Sequence, residues 1–353
     1  MVILQSLALA ALIVIPGSRY IRSHAGLLYA ISALVSVAVI AAVWSGATAG
    51  LPAWSGYVVP IFTQGALAGA LFMAVMYAAA VPNGSRFMRA VMPVRGELSI
   101  IACILTLGHN IAFGRTYFVS LFSGSALPAN IMAAAICSLA MLAIMLPLFI
   151  TSFKRVRRRM QPRRWKRLQR LAYGFYGLMY AHVLLLNLPG AWSGGLGARI
   201  NVAVYSAIFI SYACLRARKA LLKHPRGLAL VQPLPALGAA LMICLCASAW
   251  LPANAHSTSA AAAYADGKYS GAAIGHNGRL TVSVVVEEGL IADVRLTGHV
   301  EDEPYITNAF NAVVPAVIDS QSPYVDAYTG ATYSSNGLMD AISAALESAV
   351  QEG

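Results

Sequence analysis

The chain has 353 residues, of which 59% are apolar and only 11% are charged, and its formal net charge is +12. This composition excludes an ordinary soluble domain, in which about a quarter of the residues are charged, and it excludes a disordered chain. A basic protein could bind nucleic acid, but here the charges are segregated. Residues 1–265 hold 22 of the 25 basic residues and a single acid, Glu97, whereas residues 266–353 hold three basic residues and twelve acids. We therefore expect two modules of opposite charge and no nucleic-acid partner.

The position of the charge change divides the chain into three parts. Residues 1–253 are expected to form a transmembrane helix bundle, and residues 266–353 a separate domain outside the cytoplasm. Residues 254–265 (NAHSTSAAAAYA) are small and polar, as in an exposed linker. The predicted fold class is a mainly α membrane bundle of about eight helices followed by a small α+β domain.

Eight apolar segments are long enough, or nearly so, to cross a bilayer, which takes about 20 residues of helix. The first is short and has Pro16 near its end, so a signal peptide is an alternative there, although no basic residues precede it. The predicted spans cover residues 2–16, 24–45, 58–80, 97–118, 128–151, 171–189, 199–215 and 234–252.

Four loops, at residues 19–22, 86–95, 154–170 and 216–226, hold 20 of the 25 basic residues. Basic loops remain in the cytoplasm, so the protein is predicted to be a multi-pass protein of the cytoplasmic membrane, in contact with its lipid, with the N-terminus and the C-terminal domain outside. The ten basic residues of the 154–170 loop then act as a topological anchor, which we favour over an RNA- or lipid-binding helix. The segment LPANAH (251–256) also resembles an Ala-x-Ala processing site, and cleavage there would release the outer domain.

His109 and His182 are the only histidines in the interior of predicted spans, because His24 lies at the cytoplasmic edge of the second span. Counted from the cytoplasmic end of each helix, both lie about 17–18 Å into the membrane, at one level. Ionisable groups at this depth indicate function, and two facing imidazoles are what axial ligation of a b-type haem requires. The alternative is that each is a neutral histidine bonded to a neighbouring helix. Glycines near both histidines would leave room for a flat macrocycle: Gly108, Gly114, Gly174 and Gly177.

Two arginines lie at the outer ends of predicted spans, Arg115 and Arg199. Their guanidinium groups could pair with the propionates of a haem. Alternatively, they extend to the membrane surface as many arginines near helix ends do. The sequence leaves both possibilities open.

Two segments around these histidines, GHNIAFGRTYF (108–118) and RRWKRLQRLAYGFYGLMYAH (163–182), resemble the ferric-reductase-like transmembrane family over about residues 20–220. Family members with two stacked haems carry a second pair of histidines about thirteen or fourteen residues from the first. This chain has no histidine at those positions. The resemblance therefore implies one haem b, with His109 and His182 as its iron ligands.

The acidic domain has a recognisable secondary-structure pattern. Residues 281–289 and 291–300 alternate like two strands of a hairpin. Leu338, Ile342, Leu346 and Val350 are spaced for one face of a helix, which we expect to begin at Ser334 or Ser335 as its cap. The intervening segment VDAYTGATYSS (325–335) is by composition a turn before a helix, although hydroxyl groups at a helix N-terminus also suit a phosphate.

Three segments of this domain, DGKYSGAAIGHNG (266–278), EDEP (301–304) and DAYTGATYSS (326–335), resemble the FMN-binding domain family. That family includes the flavin-carrying subunits of the sodium-translocating NADH:quinone reductase and of the Rnf complex. The resemblance implies that Thr332 carries FMN through a phosphoester bond made by a flavin transferase, and that Asp326 is the acidic residue this transferase requires. Thr329, Gly330 and Ala331 complete the motif, with Thr329 where many members have serine.

Together the two resemblances imply a membrane flavocytochrome, an oxidoreductase or electron-transfer protein that passes electrons through haem b to covalent FMN and on to an extracytoplasmic acceptor. The donor is either a quinol or a cytoplasmic NAD(P)H-dependent reductase, since the chain has no dinucleotide-binding G-x-G-x-x-G after a strand. Two alternatives remain. The protein is a subunit of a larger ion-translocating redox complex, or it is a haem sensor or transporter with a regulatory flavin domain.

Overall fold

The structure is a computed structural model, and it divides into two compact units. The first unit comprises Met1–Phe122, Asn130–Leu186 and Asn201–Cys246, and the second comprises Ser123–Ala129, Asn187–Ile200 and Ala247–Gly353. The residues that the structure describes are 2–45, 47, 55–123, 129–192, 196–223, 231–250, 264–275, 278–301, 303, 305–325, 327–328 and 331–350.

Each of the eight apolar segments predicted from the sequence coincides with helix. By length and composition, α1, α2, α6, α7, α10 and α11 could each cross a membrane, and so could α3 and α4 together as a bent pair. The last segment, α12, has 17 residues and is shorter than these. Helices in chain order are α1 (Val2–Ser23), α2 (Ala25–Trp44), α3 (Ser55–Thr63), α4 (Ala66–Ala78), α5 (Arg86–Val91), α6 (Arg95–Ser123), α7 (Ala129–Ser152), α8 (Lys154–Arg159), α9 (Pro162–Gln169), α10 (Leu171–Trp192), α11 (Leu196–Leu221) and α12 (Leu234–Trp250).

The hydropathy pattern predicts a single span over residues 58–80, but the structure does not have one straight helix there. It is broken into α3 and α4, which meet at an angle of 65°. Gly65 lies at the break with φ +69°, a left-handed conformation that glycine adopts without a steric penalty. α4 is nonetheless a central element of the first unit, because it contributes Met73 and Met76 to the core.

Glu97, the only acid of residues 1–265, is buried at the start of α6. Its carboxylate forms an ion pair with Lys154 Nζ at 2.7 Å, and Lys154 lies at the start of the basic loop. A buried charge is costly unless it is paired, and this one is paired with a side chain that reaches solvent. The contact fixes the basic loop to the N-terminal end of α6.

The second unit contains a three-stranded antiparallel sheet with strand order β1-β2-β3 (Gly267–Ile274, Arg279–Glu287, Leu290–Gly298) and the helices α13 (Tyr305–Ser320) and α14 (Thr332–Glu347). The predicted hairpin is confirmed as β2 and β3. They are joined by Glu288 and Gly289, both with positive φ, as in the tight turns that suit the twist of a hairpin. Val282, Val284 and Val286 of β2 pack with Leu338 and Ile342 of α14.

Strand β1 and helix α14 approach so closely that only glycine fits between them. A Cβ atom on Gly271 would lie 2.0 Å from the carbonyl oxygen of Ala341, and one on Gly337 would lie 2.6 Å from Gly275 Cα. These glycines therefore place α14, from Gly337 to Ala345, directly against the sheet. The glycine-rich character of residues 266–278 thus has a packing cause.

The start of α14 differs from the sequence-based prediction. The helix begins at Thr332, with Ala331 as its cap and no side-chain capping bond, so Ser334 and Ser335 lie within its first turn. Both serines are buried and form hydrogen bonds to groups outside the helix, which is why neither acts as the cap. Leu338, Ile342 and Leu346 form the predicted buried face, whereas Val350 lies beyond the helix and is half exposed.

Candidate functional site

The imidazole of His109, on α6, is oriented by the break in the third span. Its Nδ1 atom lies 2.8 Å from the carbonyl oxygen of Thr63. α3 ends at Thr63, and the last carbonyl groups of a helix lack partners within the helix. In this arrangement Nδ1–H donates to the carbonyl, and the lone pair of Nε2 remains for a metal.

Gly65 is positioned by the same break and lies against the His109 ring. A Cβ atom at this position would lie 3.2 Å from His109 Cγ, closer than an ordinary van der Waals contact. Glycine thus serves two purposes here, the positive φ and the room for the imidazole. Phe113 contacts His109 from its own helix, with ring centroids 5.3 Å apart.

His182, on α10, is held in the same manner by α7. Its Nδ1 atom lies 3.0 Å from the carbonyl oxygen of Ala134 and 3.2 Å from Ser138 Oγ. Within the described part of the chain, neither Nε2 atom forms a hydrogen bond, so two neutral imidazoles keep the nitrogen that would bind iron. This donor set fits a haem b with two axial histidines.

The glycines near the histidines do not all leave room for a cofactor. Gly108 packs against α2, because a Cβ atom there would lie 2.6 Å from Ser36 Cβ, so that part of the sequence interpretation was wrong. A Cβ on Gly114 would meet its own helix's Phe118 at 2.6 Å. Gly177 faces open space, and the nearest atom to a Cβ on Gly174 would be Ile144 Cδ1 at 3.8 Å. Among the described residues, no group of three histidine, cysteine or acidic side chains could hold a metal ion.

Of the two arginines predicted as propionate partners, the structure describes the side chain of only one. The side chain of Arg115 lies outside the described residues. Arg199, in the second unit, donates Nε–H to the carbonyl oxygen of Ala191 at 3.0 Å, which ties the start of α11 to the end of α10. Pairing of either arginine with a propionate stays a prediction.

The flavin motif leads into the N-terminus of α14. Thr332 is the first residue of the helix, although its side chain, like all of Asp326, Thr329 and Gly330, lies outside the described residues. Ala331 is buried, and its N–H donates to the carbonyl oxygen of Tyr328 at 3.1 Å. The free N–H groups and the positive dipole end of a helix favour a phosphate, so a phosphoester on the first helical residue is electrostatically well placed.

A buried carboxylate, Glu301, supports this turn, and sequence reasoning gave it no role. Glu301 is 6% exposed and accepts a 2.5 Å hydrogen bond from Ser334 Oγ. Ser335 Oγ accepts the backbone N–H of Tyr328 at 3.1 Å. The two serines therefore fasten the first turn of α14 on one side to Glu301 and on the other to the loop before it. The sequence feature that could have pointed to Glu301 is the EDEP segment (301–304), in which it is the first residue.

Comparisons with known proteins agree with a transmembrane part followed by a C-terminal flavin-binding domain. The family model described as ferric reductase like transmembrane component matches residues 64–180, and that described as FMN-binding domain matches residues 275–347. An uncharacterized protein of Treponema pallidum (strain Nichols) is 38% identical over 340 residues, which cover 93% of this chain and 94% of that protein.

A second relative matches over a shorter stretch. The NADH:acrylate oxidoreductase of Vibrio harveyi is 32% identical over 81 residues, which are 23% of this chain and 8% of that protein. No solved structure matches the chain. This chain is a multi-pass membrane electron-transfer protein in which a ferric-reductase-like transmembrane component precedes an FMN-binding domain. Because the Treponema relative aligns over nearly its whole length, the chain belongs to the same family as that protein.

Proposed function

We propose that the protein is a membrane flavocytochrome. His109 and His182 hold a haem b through their Nε2 atoms, and Thr332 carries FMN through a phosphoester bond. The observation that carries the haem assignment is the matched orientation of the two imidazoles, each of which is held through Nδ1 by a backbone carbonyl of another helix. Bound haem supplies single-electron transfer, and bound FMN supplies two-electron chemistry and passage to an acceptor.

Second contacts of this kind are what a metal-bound histidine needs. A carbonyl that accepts Nδ1–H fixes the tautomer, the ring orientation and the basicity of Nε2. The carbonyl oxygen of Thr63 provides this for His109, and that of Ala134 provides it for His182. A histidine with only a structural role would need no such matched pair at one membrane level.

Three features support the ester-linked flavin. The FMN-binding domain match includes the whole of residues 275–347, and Thr332 opens helix α14 within it. The helix N-terminus stabilises the phosphate charge, and Glu301 and Ser334 fix the turn. A covalent bond also retains the cofactor in a domain that faces outward, where a loosely bound flavin would be lost by diffusion.

The charge distribution supports the direction of the path. The basic loops favour a cytoplasmic location, which places the acidic FMN-binding domain outside and the donor on the membrane or cytoplasmic side. Electrons then leave from the flavin to an extracytoplasmic acceptor, and a flavin transferase matures the domain there.

The flavin assignment is tested in a host that co-expresses a flavin transferase. The denatured chain should fluoresce in a gel, and Thr332→Ala should remove the fluorescent band. Thr297→Ala, at an exposed threonine of β3, is the matched control and should keep it. A fluorescent band that survives Thr332→Ala contradicts the assignment.

The haem assignment is tested by reduced-minus-oxidised spectra of the same preparations. His109→Ala and His182→Ala should each abolish the low-spin b-type spectrum, because each removes one axial ligand. His24→Ala, at an exposed histidine that stacks on Tyr20, should leave the spectrum unchanged. If both ligand variants retain the low-spin spectrum, the haem assignment is wrong.

A further inference from the structure

The first unit contains a partly open cavity of about 360 Å³ that the haem and flavin assignments do not use. It lies among α4, α6, α7, α9, α10 and α11. One part of its lining is apolar and aromatic and includes Phe72, Cys103 and Tyr176, whereas the other is polar and basic and includes Arg95 and Arg170. A volume of this size is typical of pockets that bind a small organic molecule.

The apolar part is walled by aromatic rings. Phe72 and Phe175 pack edge to face, with centroids 4.9 Å apart and ring planes inclined by 63°. Tyr176 and Tyr212 do the same at 6.2 Å and 77°. Such walls favour a flat, electron-poor or conjugated ring, which would contact them face-on or edge-on.

Tyr176 carries an unused polar group into this lining. The residue is 9% exposed, yet its hydroxyl forms no hydrogen bond with any residue that the structure describes. The hydroxyl is therefore reached from the cavity that Tyr176 lines, where it can donate a hydrogen bond to a ligand atom or accept one from it. The oxygen of Ser99 is a second group in the lining, because its hydrogen is donated to the carbonyl oxygen of Arg95 at 2.9 Å and its lone pairs can accept an O–H.

The apolar part also has a fixed relation to the two histidines. Cys103 precedes His109 by six residues on α6, and Tyr176 precedes His182 by six residues on α10. At 1.5 Å per residue, both lie about 9 Å along the helix axis from the imidazole on their own helix. The cavity therefore lies on the predicted cytoplasmic side of the histidine pair and next to it.

We propose that this cavity binds a membrane quinol, which is oxidised there and serves as the electron donor of the flavocytochrome. This inference rests on the proposed function. Quinol is flat and aromatic, carries an oxygen atom at each end for Tyr176 and Ser99, and dissolves in the membrane that surrounds the unit. A dinucleotide is larger and would bring several phosphate groups into an aromatic chamber.

The reaction balances with one FMN per quinol. Two O–H bonds break, the quinol loses two electrons and two protons and becomes the quinone, and the protons pass to water at the polar end of the cavity, where Lys166 and Arg170 are exposed to solvent. The two electrons travel singly through the membrane unit and reduce one FMN, which takes up two protons from its own side. No further oxidant is needed, and the acceptor then reoxidises the flavin.

Binding is tested on the full-length protein in lipid nanodiscs with an azido-substituted quinone as photolabel. We expect cross-linked peptides from residues 95–103 and 165–176, and we expect excess menadione to prevent the labelling. Ala172→Phe, which adds a ring at a lining position, should reduce labelling about tenfold. Leu171→Phe, at the adjacent position that is 44% exposed, adds a ring outside the cavity and should label like the wild type.

Tyr176→Phe gives a second variant that keeps the shape of the lining. It should weaken labelling three- to tenfold through loss of one hydrogen bond, with unchanged elution from a sizing column. In Ala172→Phe and Tyr176→Phe, menadiol should reduce haem and flavin slowly, whereas dithionite should reduce them fully. Labelling confined to segments that do not line the cavity, or wild-type labelling of both variants, would overturn the proposal.

The two proposals fail in distinguishable ways, because photolabelling requires neither cofactor. If the cavity is labelled but the chain carries no low-spin haem, the quinone site stands and the flavocytochrome proposal falls. If dithionite gives normal haem and flavin spectra but the cavity is not labelled, the donor enters elsewhere.

Discussion

Nδ1 of His109 and the carbonyl oxygen of Thr63 lie 2.8 Å apart, although 46 residues separate them in the chain. The contact exists because the third apolar segment breaks at Gln64 and Gly65 and exposes the carbonyl at the end of α3. A continuous helix would use that carbonyl within its own ladder. The break is therefore a structural device that orients a candidate iron ligand.

Substitution of Gly65 tests this device. Gly65→Ala places a Cβ 3.2 Å from the His109 ring and imposes a positive φ on a non-glycine residue, which costs about 1–2 kcal/mol. We expect reduced haem content and shifted g-values in the electron paramagnetic resonance spectrum of the oxidised haem. Gly69→Ala, with open space at its Cβ and on the same helix, should match the wild type in both readouts. Identical g-values in the two variants would show that the break does not orient the ligand.

Substitution of Gly271 tests the placement of the flavin-bearing helix. Gly271→Ala drives a methyl group into the backbone of α14, 2.0 Å from Ala341 O, and should lower the free energy of unfolding of this domain by about 3 kcal/mol or more. Flavin transfer should fall with it, because Thr332 lies on the same helix. Denaturant unfolding and in-gel fluorescence measure the two effects. Ser270→Ala, exposed on the same strand, should change stability by less than about 0.5 kcal/mol.

The hydrogen bond between Ser334 and Glu301 makes a more specific prediction. Ser334→Ala removes one donor from a carboxylate that is 6% exposed and should lower the free energy of unfolding by about 1–3 kcal/mol. Ser343→Ala removes a bond from Tyr324 at an exposed site and should cost less than about 1 kcal/mol. Equal losses in the two variants would mean that Glu301 does not support the turn.

Topology provides a prediction that does not depend on either cofactor. If α12 spans the membrane, alkaline phosphatase fused after Gly353 should be active, because this enzyme matures only outside the cytoplasm. The same reporter fused after Met160, in the basic loop, should be inactive, and a fluorescent protein should give the opposite pattern at both sites. An inactive phosphatase at Gly353 would place the FMN-binding domain inside and reverse the proposed path.

The parts of the fold that follow from local pattern could be predicted from the sequence. Apolar length locates the helices, and the alternation before and after Glu288 and Gly289 gives the hairpin. The pairing of His109 and His182 from their depth stays a prediction. Resemblance to known families assigns the flavin to Thr332 through a motif that is local in sequence, and this assignment stays a prediction. Each of these signals is contained in a short window of residues.

The parts that depend on long-range contacts could not be predicted. Hydropathy does not register the bend at Gly65, because both sides of it are equally apolar. The buried carboxylate Glu301 lies in an acidic segment that looks exposed, and Ser334 looks like a helix cap until its partner is known. Tyr176 and Cys103 are 73 residues apart, so the cavity that they line is evident only from the packed helices.

The central claim is that one chain carries both a haem b and an ester-linked FMN. The most direct test measures both cofactors in one preparation of the full-length protein, matured by a flavin transferase, through the pyridine haemochrome assay and the flavin that remains in acid-precipitated protein. The account predicts one haem b and one covalent flavin per chain. A preparation with normal flavin and no haem, or with normal haem and no covalent flavin, would contradict it.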